Sequence, residues 1–151
     1  MLTLYAIPKY IKIGEQLLGD VLLGGYLHII WQLGFLSLGV FAFFVAKLAK
    51  PPLRRRAHMT LGIFYTAGLL IGFVWGVLSM TLIFHRIPFE TAHGIVAIVI
   101  IAVIVTGTSL GFAIHFLKKQ LFKIHFIIQF TGLLLALTQI VLGTALFIII
   151  G

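Results

Sequence analysis

The chain has 151 residues, of which 62% are hydrophobic and 9% charged, and its mean hydropathy of +1.22 is far above that of a water-soluble domain. This composition excludes a soluble globular fold and predicts an all-α integral membrane protein. No soluble basic domain carries the formal net charge of +8, so no nucleic-acid partner is expected. Because the chain has no cysteine, it cannot form disulfides, thiolate metal sites or covalently attached c-type haem.

The chain begins with a moderately polar segment, residues 1–20, which lacks the pattern of a cleaved signal peptide and is predicted to lie at the membrane interface. Four apolar runs follow at residues 21–48, 58–84, 91–116 and 124–150. Each is long enough to cross a hydrocarbon core of about 30 Å as a helix, and none shows the alternation of a membrane strand. The links, residues 49–57, 85–90 and 117–123, are short enough to force neighbouring helices antiparallel. The prediction is one domain over residues 1–151, a four-transmembrane-helix up-down bundle.

Basic residues are distributed unevenly between the two ends of this predicted bundle. The first and third links and their flanks contain Lys47, Lys50, Arg54, Arg55, Arg56, Lys118, Lys119 and Lys123. The opposite end contains Lys9, Lys12 and Arg86 together with the acidic residues Glu15, Asp20 and Glu90. The positive-inside rule therefore predicts a cell-membrane protein with the first and third links in the cytoplasm and both termini outside.

One histidine lies near the beginning of each predicted span: His28, His58, His93 and His125. Because the helices alternate in direction, His28 and His93 fall at the outer end of the bundle, and the other two at the cytoplasmic end. A single intramembrane histidine is usually structural, but polar groups in hydrocarbon are costly, and matched pairs favour a functional role. Neutral imidazole is a good ligand for iron, and a b-type haem takes two of them without cysteine. We therefore predict two haem b groups, ligated by the diagonal pairs His28 with His93 and His58 with His125.

A small residue follows each of these histidines after eighteen positions, at Ala46, Gly76, Gly111 and Gly143. Eighteen residues are five helical turns, so the small residue shares the helix face of its histidine about 27 Å further along the axis. It is then level with the histidines of the neighbouring helices. The spacing predicts room for a flat, bulky cofactor, although small residues also serve close helix packing in membranes.

Several other polar residues are candidates for roles around the cofactor. The cytoplasmic Arg54, Arg55, Arg56 and Lys123 are explained mainly by topology, with salt bridges to haem propionates or to an anionic donor as the alternative. His85 and His115 are predicted to be interfacial, with His85 as an alternative ligand to His28 or His93. Three glutamines could support ligand imidazoles or join helices, namely Gln32, Gln129 and Gln139.

Four helices with one histidine near the start of each, in two diagonal pairs, resemble the core of the cytochrome b561 family. The resemblance covers about residues 26–150 and rests on the four histidines and on the stretches "RRRAHMTLG" and "KIHFIIQFTGLLLALTQIVLGTALF". It implies electron transfer across the membrane through two haems. Members of the family commonly have six helices, and many that use ascorbate read Ser-Leu-His-Ser-Trp where this chain has "ETAHG" at residues 90–94. Their cytoplasmic ascorbate-associated motif also has no counterpart here, so ascorbate is not indicated as the donor.

Two other functions remain open at the level of sequence. One is a membrane-anchor cytochrome subunit that exchanges electrons between quinone and a redox partner complex. The other is a transporter for a metal ion or haem in which the histidines are transient ligands, although no predicted span has an internal acidic residue. The expected partners are membrane lipid and redox donors and acceptors, with a homodimer or larger membrane complex undecided.

Overall fold

Four long helices account for nearly all of the described chain. The structure, a computed structural model, describes residues 7–50, 53–82, 87–117 and 121–150. The helices are α1 (Ile7–Leu48), α2 (Leu53–Leu82), α3 (Ala92–Leu117) and α4 (Phe122–Ile150), with a short 3-10 turn at Pro88–Glu90 before α3. No strand occurs in these ranges. The predicted all-α four-helix class is confirmed.

Each helix contains a segment that is long and apolar enough to cross a membrane. These segments are Leu23–Leu48, Leu53–Leu82, Ala92–Leu117 and Phe122–Ala145, with mean hydropathies between 1.9 and 2.6. Large apolar side chains are exposed along all four, as expected for surfaces that face lipid rather than water. The fold is therefore compatible with an integral membrane protein.

The beginnings of the first two helices differ from the predicted bounds. Helix α2 begins at Leu53, so Arg54, Arg55 and Arg56 belong to its first turns and not to the preceding link. Proline is excluded from a helix interior, so the helix starts directly after Pro52; arginine is a good helix former and continues it. Helix α1 runs without interruption from Ile7 into the apolar segment. The interfacial placement of residues 1–20 stays a prediction, and residues 1–6 lie outside the described ranges.

The order of the helices around the bundle decides which histidines can meet. Helix α1 packs against α2 and α4, and α3 packs against the same two helices, so that α1 and α3 are diagonal, as are α2 and α4. The more extensive interfaces join α1 to α2 and α3 to α4. The bundle is thus two antiparallel helix pairs, each contributing one helix to each diagonal.

An apolar core fills the middle of the bundle. Its buried members are Leu36, Tyr65, Leu69, Ile100, Ile104 and Ala136. Close approach of α1 and α2 here depends on glycine, because a Cβ on Gly39 would lie 2.7 Å from the ring of Tyr65. This layer separates the polar residues at one end of the bundle from those at the other.

Candidate functional site

Two histidine pairs lie at opposite ends of the bundle. We define the basic end as the one at which α1 and α3 end and α2 and α4 begin, with the residues Lys47, Lys50, Arg54, Arg55, Arg56, His58, Lys123 and His125. The far end is the opposite one, with His28 and His93. Lys118 and Lys119, predicted for the basic end, lie outside the described residues.

At the basic end, the diagonal partners His58 and His125 face each other across the bundle. Their ring centroids are 6.2 Å apart and their planes are inclined at 87°. Two imidazoles bound through Nε2 on opposite sides of one metal ion would have centroids about 6.3 Å apart, given metal–nitrogen bonds of about 2.0 Å. The observed separation leaves room for one metal ion between the rings, and His58 and His125 are the residues that would hold it.

Hydrogen bonds identify which nitrogen of each ring is available to a metal. Nδ1 of His58 lies 3.0 Å from the carbonyl oxygen of Ala42, and Nδ1 of His125 lies 2.8 Å from that of Gly107. A carbonyl only accepts, so Nδ1–H donates in both contacts and each Nε2 keeps its lone pair. A backbone acceptor of this kind orients a ligand imidazole and raises its basicity. The donor set at the basic end therefore fits bis-histidine ligation.

At the far end, the pair is supported by close packing. A Cβ on Gly76 would lie 3.3 Å from Cε1 of His28, and a Cβ on Gly143 would lie 2.9 Å from Cε1 of His93. Nδ1 of each histidine is buried and has no hydrogen-bond partner among the described residues. The far end thus has two buried ring nitrogens left without partners, and among the described residues it lacks the carbonyl acceptors of the basic end.

The small residues at the eighteen-residue spacing lie beside the histidine rings. A Cβ on Gly111 would lie 3.1 Å from Cε1 of His125, which repeats the arrangement of Gly76 and Gly143. Ala46 is half-buried one turn after Ala42, the residue whose carbonyl meets His58. The glycines therefore accommodate the imidazole of the neighbouring helix, and the prediction that they also make room for a flat cofactor stays a prediction.

The basic side chains of the predicted cofactor site are on the surface of the bundle. Arg54, Arg55, Arg56 and Lys123 are all exposed. Arg55 reaches α3, where its Nε donates to Nδ1 of His115 over 3.0 Å. His115 is therefore a contact between α2 and α3, while His85, the predicted alternative ligand, lies outside the described residues.

The three glutamines have different neighbours. Gln32 packs on Gly72 inside the α1–α2 pair. Gln129 donates to Oγ1 of Thr108 over 3.1 Å, and Gln139 donates to the carbonyl oxygen of His93 over 2.6 Å. Only Gln139 contacts a candidate ligand residue among these hydrogen bonds.

Two sets of hydrogen bonds at the basic end are not predictable from the residue pattern. The acceptors for His58 and His125 are main-chain carbonyls of Ala42 and Gly107, and every residue of the chain carries such a carbonyl. A buried hydroxyl pair, Oγ1 of Thr66 and Oγ1 of Thr108 at 2.8 Å, lies beside this region on α2 and α3. Threonine in a membrane helix usually bonds within its own helix, so its sequence position gives no signal for this contact.

Among the described residues, no group of three or more histidine, cysteine, aspartate or glutamate side chains could surround a metal ion; the candidate sites have two protein ligands each. Comparison of the chain with protein-family models, with curated proteins and with solved structures finds no match.

Proposed function

We propose that the chain is a transmembrane electron-transfer protein, similar to the cytochrome b561 family, that holds two b-type haems. His58 and His125 would ligate one at the basic end, and His28 and His93 the other at the far end. Iron held by two histidines cycles between ferrous and ferric states and so carries one electron. In the alternative function, a membrane-anchor subunit that exchanges electrons between quinone and a redox partner complex, the protein would use the same two sites.

The observation that carries this proposal is the geometry of His58 and His125. The centroid separation of 6.2 Å and the engagement of both Nδ1 atoms by carbonyls support the proposal, because they leave both Nε2 atoms available and the rings close enough to share one ion. A histidine pair that served only helix packing would not need both acceptors, because one imidazole can donate to the other.

The spacing of the two ends supports transfer across a membrane. On α2, eighteen residues separate His58 from Gly76, the neighbour of His28, which corresponds to about 27 Å along the axis. Between the ends, the apolar core around Leu36, Leu69 and Ile104 excludes water. The chain's own residues thus hold and orient two ligand pairs near opposite faces of a hydrocarbon layer.

The proposal includes the orientation and the partners. The basic end faces the cytoplasm and both termini face outwards in the cell membrane, because Arg54, Arg55, Arg56 and Lys123 would otherwise have to be translocated. The exposed arginines stabilise the reduced, less positive form of a haem at that end and can meet an anionic donor. The proposed partners are redox donors and acceptors that exchange electrons with the protein. The proposal also includes assembly into a homodimer or a larger membrane complex.

The test is a reduced-minus-oxidised absorption spectrum of the purified full-length protein, with haem and protein quantified on the same sample. We expect a low-spin b-type spectrum with about two haems per chain, as one bis-histidine site at each end requires. Titration against potential should resolve two components, because the two ends differ in charge and in hydrogen bonding to the ligands. A protein that contains no haem after expression with haem supplied would overturn the proposal.

A further inference from the structure

Gln139 on α4 lies against the residue that carries one far-end imidazole. Its Nε2 donates to the carbonyl oxygen of His93 over 2.6 Å. A carbonyl oxygen only accepts hydrogen bonds, so the side-chain amide of Gln139 must point its NH2 group at His93. Oε1 of Gln139 then remains available as an acceptor. Oε1 is buried and has no hydrogen-bond partner among the described residues.

The imidazole of His93 has the complementary requirement. Its Nδ1 is also buried without a partner in the described chain. The ring lies over the turn of α4 that follows Gln139, because a Cβ on Gly143 would lie 2.9 Å from its Cε1. Two buried polar atoms of the α3–α4 pair, Nδ1 of His93 and Oε1 of Gln139, are thus left without partners in the described chain, and buried polar groups are almost always paired in proteins.

We infer that Gln139 is the positioning residue of His93, whose Nδ1–H it accepts at Oε1 through one bridging water. Such a water satisfies buried groups that are near each other but not in direct contact. With the proton on Nδ1, Nε2 is the nitrogen that can bind a metal. Gln139 then fixes the tautomer and orientation of the His93 ring, as the carbonyl of Gly107 does for His125. As a statement about a haem ligand, the inference rests on the proposed function; as a statement about the tautomer of His93, it stands alone.

The chain contains a matched control on the same helix. Gln129 is also a half-buried glutamine of α4, but it donates to Thr108 and packs on Gly107, so it belongs to the basic end and is a control for the far-end site alone. Gln139→Met and Gln129→Met each remove an amide and keep a flexible side chain of similar length. Gln139→Glu keeps an acceptor oxygen at the inferred position.

The first measurement needs no haem. The full-length protein, labelled with 15N at histidine and held in detergent micelles without haem, reports the tautomer of each imidazole by NMR, and His93→Ala assigns the His93 signals. We expect Nδ1–H in the wild type and in Gln129→Met, and a mixture of tautomers in Gln139→Met. Nε2–H in the wild type, or the same tautomer in Gln139→Met as in the wild type, overturns the inference.

The second measurement uses the haem-loaded protein. Loss of a hydrogen bond to a ligand typically costs about 10-fold to 100-fold in metal affinity, so Gln139→Met should weaken haem binding by that factor at the site that His93→Ala removes. The midpoint potential of that haem should rise, because its ligand becomes a poorer electron donor. Gln129→Met should change neither quantity. The protonated carboxyl group of Gln139→Glu donates to the same carbonyl and keeps the acceptor oxygen, so this variant should restore the affinity and the potential of the wild type. Gln139→Leu replaces Gln139→Met if that variant does not fold.

The two proposals fail in different ways. A wild-type protein without haem overturns the proposed function, while the NMR measurement still decides the role of Gln139. A Gln139→Met protein that binds both haems with unchanged affinity and potential overturns the role of Gln139 and leaves the proposed function standing.

Discussion

The two ends of the bundle hold the same pair of residues by different means. At the basic end, each imidazole donates to a main-chain carbonyl of the neighbouring helix, Ala42 on α1 or Gly107 on α3. At the far end, Nδ1 of His28 and of His93 is without such a partner in the described chain, and the rings are held by contact with Gly76 and Gly143. Because the ring of His125 also contacts Gly111, the two ends differ in the hydrogen bonds to the rings and not in the glycine contacts. The basic-end rings are oriented by hydrogen bonds as well as by packing, and the far-end rings by packing.

The contacts also repeat between the two helix pairs. In α1–α2, His58 meets Ala42 and His28 meets Gly76; in α3–α4, His125 and His93 make the corresponding contacts. Residue identity between the halves is weak, yet the placement of carbonyl and glycine is the same. What recurs is the packing geometry of an antiparallel pair, which needs a small residue wherever an imidazole crosses to the neighbouring helix.

The largest expected effect is loss of one haem on removing a ligand. On the proposed function, His125→Ala should abolish the basic-end haem and His93→Ala the far-end haem, each reducing the haem content from about two to about one per chain, because each proposed site would have two histidine ligands. Absorption spectra with haem quantification measure this. Loss of both haems from either variant would show that the two ends do not bind independently, and His115→Ala, which removes a histidine outside both pairs, serves as the control.

The next effect concerns the glycines that contact the rings. Gly143→Ala should destabilise the protein by about 1–3 kcal/mol, the usual cost of inserting a methyl group into a packed site, because its Cβ would lie 2.9 Å from His93. Gly76→Ala should cost less, since the corresponding contact with His28 is 3.3 Å. Unfolding by denaturant in detergent micelles gives the free energies.

Gly62→Ala is the matched control for these substitutions. Gly62 is also inside a helix, but a Cβ there would meet nothing within 4 Å. Alanine favours a helix over glycine, so this change should leave the stability equal or raise it. Equal stabilities for Gly143→Ala and Gly62→Ala would contradict steric support of the far-end ring.

The smallest effect concerns the polar contacts beside the basic end. Thr108→Val should cost about 1 kcal/mol of unfolding free energy, a typical value for hydrogen bonds between membrane helices, because it leaves Thr66 and Gln129 without their partner. Thr106→Val on the same helix is the control, since its hydroxyl is exposed and bonds only to the carbonyl of Ala102. The same denaturation measurement applies, and a loss no larger than that of Thr106→Val would mean that these contacts do not stabilise the basic end.

Some parts of the fold follow from hydrophobicity alone. Four runs of apolar residues must become four helices in a membrane, since only intrahelical bonds satisfy the backbone there. Helix α2 begins at Leu53, earlier than the apolar run that starts at residue 58, because nothing after Pro52 breaks a helix and the arginines at 54–56 continue it. Charged residues end an apolar run, whereas a helix ends only where its backbone hydrogen bonds end.

The candidate site was predictable in its residues and not in its contacts. The spacing from His93 to Gly111 and from His125 to Gly143 follows from the helical repeat, and helix geometry alone places each glycine level with a neighbouring histidine. What fills the space beside each glycine depends on the separation of the helices. At Gly76, Gly111 and Gly143 that space is occupied by an imidazole.

The amino-acid sequence by itself determined the number of helices, their alternating direction and the depth of each histidine, because these depend on local hydrophobicity and on a constant rise per residue. Only the tertiary structure decided that Ala42 and Gly107 accept hydrogen bonds from the basic-end rings, and that Gln139 lies on His93. These contacts depend on how two helices are rotated about their axes and how closely they approach. Rotation and approach result from the packing of every side chain along the interface, so no single position in the sequence specifies them.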